Sequence, residues 1–141
     1  MSIQNGAPPQ AEGGCLCGQL RYCVTLPPLD AGYCHCRICQ RSAGAPVLAW
    51  ATFPAEQLRF LTGHLSTYRS SPGAERGFCG TCGTQLFFRA DAPPPRLDIN
   101  LATLDRPELI APDYHIWTAS RIPWFETADS LPRHPDDGPD V

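Results

Sequence analysis

Seven of the eight cysteines in this chain fall into three tight clusters. These are Cys15 and Cys17 in "GGCLCGQL", Cys34, Cys36 and Cys39 in "YCHCRICQRSAG", and Cys79 and Cys82 in "FCGTCGT"; only Cys23 stands apart. Thiols at CxC and CxxC spacing converge on a point, and either a metal ion or a disulfide framework explains the convergence. Disulfides persist in oxidising compartments. The N-terminus, "MSIQNGAPPQAEGG", has neither the basic start nor the apolar run of a secretory signal. The expectation is a cytoplasmic, metal-binding protein whose fold must close around its sulfurs.

Charge and length narrow the field further. The 141 residues suit one domain with a real core. A net charge of −3 offers no general attraction to nucleic acid or an anionic membrane surface. No apolar run approaches the roughly 20 residues of a bilayer span. All eleven basic residues are arginine, so a lysine Schiff base to a carbonyl substrate is excluded.

Between the clusters the pattern is short and strand-like. "LRYCVTL" (20–26) sets Leu20, Tyr22, Val24 and Leu26 on one face against Arg21, Cys23 and Thr25. Further strands are predicted at 47–53, 58–61, 65–70, 75–79, 85–89 and 97–104, punctuated by "TGH", "SSPGAE" and "ADAPPP". Sixteen prolines argue against long helices, leaving short helical pieces at "PAEQL" and "RPELIA". The reading is a mainly β domain over 13–130, with a flexible N-terminus (1–12) and a flexible C-terminal tail (131–141), both rich in Pro, Gly and small residues.

The clusters differ in their flanks. Cys79 and Cys82 are followed by Gly80 and Gly83, and Cys15 and Cys17 are likewise bracketed by glycine. Glycine admits the backbone turn that aims N–H groups at sulfur. Together these four make a closed structural zinc site. Cys39 is followed by Gln40 and Arg41, and the trio Cys34, Cys36 and Cys39 has no obvious fourth partner. Three protein ligands and one exchangeable place describe a catalytic zinc. Spacing does not force this division: Cys36 and Cys39 could join Cys79 and Cys82 in a stretched ribbon, leaving Cys15, Cys17 and Cys34 as the open set. Cys23 reads as an unliganded thiol in a strand. His35, between two candidate ligands, points away from their metal in extended backbone; His64 and His115 are lone histidines, and His134 lies in the tail.

The stretches "GGCLCGQLRY", "YCHCRICQRSAGAP", "ERGFCGTCGT" and "HIWTASRIPWFE" resemble the glutathione-dependent formaldehyde-activating enzyme family, which includes centromere protein V. The resemblance runs from about Gly13 to Pro132, with every cysteine cluster in order. It implies a β-tent fold holding two zinc ions, one structural on Cys15, Cys17, Cys79 and Cys82, one catalytic on Cys34, Cys36 and Cys39. It also implies condensation of formaldehyde with glutathione to S-(hydroxymethyl)glutathione, a carbon–sulfur lyase reaction run in reverse. The implied partners are a small thiol and an aldehyde, and a homodimer is left open.

Zinc with three thiolates is better suited to holding a substrate thiolate than to making hydroxide, because sulfur donation weakens its Lewis acidity. Arg37 and Arg41 are placed to meet a substrate carboxylate, and His115, Trp117, Trp124 and Phe125 to wall a pocket. Two other readings compete. One is a noncatalytic protein-interaction module with two structural zincs, which needs a fourth protein ligand at the second site. The other is a nucleic-acid-binding zinc ribbon, which the acidic balance disfavours.

Overall fold

The structure, a computed structural model, describes residues 8–139. Its elements in chain order are β1 (Gln10–Gly14), β2 (Arg21–Thr25), β3 (Asp30–Cys34), α1 (Arg37–Ala43), β4 (Leu48–Pro54), β5 (Leu58–Thr62), β6 (Ser66–Ser71), β7 (Ala74–Phe78), β8 (Gln85–Ala90), β9 (Arg96–Asn100) and β10 (His115–Ile116). The protein is mainly β, as the patterning predicts. A three-stranded sheet has the order β1-β2-β5, and a seven-stranded sheet the order β10-β3-β4-β9-β8-β7-β6. Every pairing is antiparallel except that of β10 with β3.

Differences from expectation have local causes. The helix α1 falls inside the cysteine trio, where no periodicity announced it. Cys36 caps it, its Sγ accepting from the Cys39 N–H at 3.3 Å, and Gly44 ends it in the left-handed conformation at φ 62°. The helical pieces at "PAEQL" and "RPELIA" are single 3-10 turns, Ala55–Gln57 and Pro107–Leu109. The strand predicted at 97–104 stops at Asn100, where Leu101–Thr103 turn and the Thr103 hydroxyl donates to the Asn100 carbonyl at 2.7 Å. Strand β1 begins at Gln10, within the N-terminal stretch read as loose, and pairs with β2 along its whole length. In the stretch read as a tail, the Pro132 carbonyl accepts from the His115 N–H and the Asp136 carbonyl from the Trp117 N–H, at 2.9 and 2.8 Å. Residues 1–7 and 140–141, also in those stretches, lie outside the described residues.

Register divides the large sheet into an apolar and a polar face. Directly opposed residues share a face, and a shift of one residue reaches the other. Ala31, Ala51, Ile99, Phe87 and Gly77 stand in one row across β3, β4, β9, β8 and β7. That row faces the small sheet, where Tyr22 meets the Phe87 ring edge-on at 5.1 Å and Phe60 does so at 5.5 Å. Leu20, Tyr22, Val24, Phe53, Leu86 and Ile99 complete a core whose members are all but sealed from water. One residue along, the opposed row is Asp30, Thr52, Asp98, Phe88 and Arg76. Four polar side chains on one sheet face are expensive to cover without partners, and this is the face that carries the site.

Candidate metal centres and the cleft beside the cysteine trio

The hairpin turns β1–β2 and β7–β8 bring the first sulfur group together. The Sγ atoms of Cys15, Cys17, Cys79 and Cys82 all lie within 4.8 Å of one another. Cys15 is 3.6 Å from Cys17, and Cys17 is 3.8 Å from Cys79. Four sulfurs held about 2.3 Å from a tetrahedral zinc are spaced about 3.8 Å apart, so the group fits such an ion. Backbone N–H groups already aim at the sulfurs, Leu20 at Cys15 (3.3 Å) and Cys82 at Cys79 (3.5 Å). The Thr84 hydroxyl, 3.2 Å from Cys82 Sγ, draws that thiol down to about 5. Negative sulfur, the form that binds metal, is favoured on Cys15 and Cys82, whereas against the pull of a backbone bond at Gln19, burial and the bonds shared with the other three sulfurs push Cys17 up to about 11.

The second group is Cys34, at the end of β3, with Cys36 and Cys39 on the first turn of α1. Among the described residues no further His, Cys, Asp or Glu joins them within that 4.8 Å spacing. Hydrogen bonds from Cys34 and Cys39 pull the Cys36 thiol far down, while the same sharing and burial push Cys34 far up. Three sulfurs this close cannot all ionise without a cation among them, so here too the donor chemistry fits a metal. The fold does not assemble Cys36 and Cys39 with Cys79 and Cys82. Cys23 joins neither group; it is buried and donates to Gln10 Oε1 at 3.3 Å.

The trio opens into a cleft of about 950 Å³ over the polar face of the large sheet. Its walls include Trp50, Phe88, Tyr114 and Trp117, with Arg76 and Asp98 from the polar row. Trp117 has a left-handed backbone, φ 56°, a costly conformation for a bulky residue that persists only where its surroundings hold it. Arg37 lines the cleft and donates to the Gln40 side chain. Arg41 and Trp124 lie instead in a separate shallow hollow, so they do not wall the cleft.

The histidines have a different task from pocket wall. His115 is buried; its Nε2 faces the Asp129 carboxylate at 3.1 Å and its Nδ1 meets His35 Nε2 at 2.8 Å. With a proton on His115 Nε2 for Asp129, His115 Nδ1 accepts, so His35 Nε2 donates and His35 Nδ1 is left without a proton or partner. Burial and the His115 ring lower the His35 pKa to about 4, keeping that ring neutral. Gln40, also buried, donates to the carbonyls of His35 (2.6 Å) and Ser120 (3.1 Å), tying the cysteine segment to the C-terminal region.

Arg76, Asp98 and Asp30 escaped sequence reading. The available signal was a lone carboxyl in the apolar run "RLDIN" and an arginine three residues before Cys79. Asp98 accepts from the Thr52 hydroxyl at 2.6 Å, yet burial raises its pKa from 3.8 to about 6. A carboxyl raised in the folded state stabilises the fold fully below its unfolded pKa and loses that contribution as pH rises through the folded one. Asp98→Asn keeps the acceptor for Thr52. It is therefore expected to unfold at the same denaturant concentration as wild type near pH 3 and to gain about 2–3 kcal/mol over it above pH 6. Urea titrations at several pH values check this; a difference independent of pH would contradict it.

Comparison with known proteins gives the family of the chain. The family model for the glutathione-dependent formaldehyde-activating enzyme matches residues 10–120. A Schizosaccharomyces pombe protein named as an uncharacterized lyase is 31% identical over 80 residues, covering 57% of this chain and 58% of that protein. A Halomonas elongata protein provisionally named a glutathione-dependent formaldehyde-activating enzyme is 34% identical over 85 residues, 54% of each chain. The chain thus spans a little over half the length of these curated relatives. The crystal structure of a Rhodobacter sphaeroides protein superposes with a TM-score of 0.57 at 29% identity, over 67% of this chain and 87% of that one. With the family model matched across both sulfur groups and the helix between them, the chain belongs to the glutathione-dependent formaldehyde-activating enzyme family.

Proposed function

We propose that this chain is a zinc-dependent carbon–sulfur lyase acting in the synthetic direction, joining a small aldehyde such as formaldehyde to a thiol such as glutathione. One observation carries the reading: three convergent sulfurs, joined by no fourth described His, Cys, Asp or Glu, open into a cleft large enough for a small peptide thiol. Cys15, Cys17, Cys79 and Cys82 would hold a structural zinc, and Cys34, Cys36 and Cys39 a second one. When bound, the second zinc supplies the positive charge that lets an incoming thiol lose its proton near neutral pH.

The chain's own residues do the rest. The first turn of α1 and the end of β3 hold the three donors together at the wall of the cleft, where an entering thiol would join them. Trp50, Tyr114 and Phe88 line the cleft and exclude water from the developing carbon–sulfur bond. The sulfur electron pair forms a bond to the carbonyl carbon as the C=O π pair moves onto oxygen, which takes up, by way of solvent, the proton the thiol gave up and becomes the hydroxyl of the adduct. Confining both reactants beside each other supplies the entropic advantage of an intramolecular reaction. A cytosolic setting and a single domain complete the proposal; the family match and the relatives' names support the enzymatic part of it.

The test is spectroscopy of the cobalt-substituted protein with and without glutathione, followed by exchange NMR of formaldehyde and glutathione. A ligand-field change on adding thiol and accelerated adduct exchange are expected. A spectrum of two four-sulfur sites that ignores thiol would replace the enzyme with a scaffold.

A further inference from the structure

Arg76 is 6% exposed, yet no carboxylate among the described residues forms an ion pair with it. A guanidinium carries five N–H donors in a rigid fork. Among the described residues one bond is made, from an Nη to Cys39 Sγ at 3.5 Å; the buried Nε meets no acceptor. The side chain stands over the Phe88 ring, its central carbon 5.1 Å from the ring centroid, and lines the same cleft as Cys34, Cys36 and Cys39. The charges of Asp98 and of Cys39, once ionised, partly offset that of Arg76, but the N–H donors left over are buried without an acceptor and are open to an anion that enters the cleft. Asp98, across the polar row, also faces the cleft without bonding to Arg76.

Resting on the thiol-binding reading above, we infer that Arg76 forms a carboxylate subsite beside the sulfur trio, for thiols whose acid group comes within reach of the guanidinium. The geometry sets that reach. A fourth sulfur packed against Cys39 at the spacing seen in the other cluster, 3.6–3.8 Å, lies within about 7 Å of the guanidinium that touches Cys39 at 3.5 Å. A carboxylate joined to that sulfur through two carbons reaches the fork directly. Arg41 lies in the separate hollow, and Arg37, though it lines the cleft, bonds to Gln40 and, among the described residues, not to a sulfur of the trio.

The experiment titrates the cobalt-substituted protein with β-mercaptopropionate and with its neutral isostere β-mercaptopropionamide, following the ligand-field bands. Wild type is expected to bind the acid at least about tenfold more tightly, the size of a charge-assisted hydrogen-bond pair. Arg76→Gln is expected to bind both alike, and Arg76→Lys to keep part of the preference. Because the readout is a ratio, any effect of Arg76 on the metal through Cys39 cancels. Equal binding by wild type overturns the subsite while leaving the open coordination place intact. A preference that survives in Arg76→Gln belongs to carboxylate chelation and also overturns it. No spectral response to either thiol removes the thiol-binding reading and the subsite together. Should Arg76→Gln fail to fold, the wild-type ratio and Arg76→Lys still decide.

Discussion

With a structural zinc on the four-cysteine group, as proposed, Cys79→Ser is expected to lower the melting temperature by at least about 15 °C and to release that ion. Structural zinc in small domains contributes about 10–16 kcal/mol of apparent binding energy that appears as folding energy. Whole domains are stable by only about 5–15 kcal/mol, so losing even half of one site is close to the total. For a chain of this length each kcal/mol moves the midpoint by about 3–5 °C. The position of Cys79 makes the loss global. It lies in the turn between β7 and β8 of the large sheet, and its partners Cys15 and Cys17 lie in the turn between β1 and β2 of the small one. The group therefore clamps one end of the two-sheet sandwich, and Cys15 and Cys79 are themselves buried in the shared core. Calorimetry with metal analysis measures both quantities. A midpoint within a few degrees of wild type would mean that hydrophobic packing alone holds the sheets together.

How far the sequence foretold this arrangement depends on which interactions are local. Strand alternation in "LRYCVTL" is local, and Leu20, Tyr22 and Val24 are indeed the sealed face. The CxC and CxxC spacings are local as well, so the sulfur groups could be seen before the fold. Helix α1 could not, because its start depends on a cysteine acting as a cap, and its seven residues carry no amphipathic repeat. Strands β3 and β10 were also missed. "DAGYC" and "HI" are short segments whose pairing partners, β4 and Tyr33–Cys34, are supplied by tertiary structure. The polar row from Asp30 to Arg76 is the clearest limit: five residues on five strands become neighbours only through register, which no single stretch encodes. Pairing His35 with His115 across 80 positions has the same origin.

Cys36→Ser is the converse experiment, expected to abolish turnover while leaving the fold standing. Removing a ligand should cost more than the 10–100-fold typical of losing a partner that only orients one, so activity should fall by at least about a hundredfold. Stability should hold because of what Cys36 does locally. It is half-buried and caps α1, its side chain accepting the Cys39 N–H. Serine is among the best residues for that position, and its hydroxyl accepts the same N–H, so the helix keeps its start. What serine lacks is the soft, easily ionised sulfur that a thiolate site requires. Zinc content should fall by one equivalent while the midpoint stays within a few degrees, the opposite balance from Cys79→Ser. The comparison is sharp because both variants make the same chemical change at two sulfur groups in one chain. If both unfold the protein equally, the trio is a second structural clamp; if Cys36→Ser turns over normally, the chemistry lies elsewhere in the cleft.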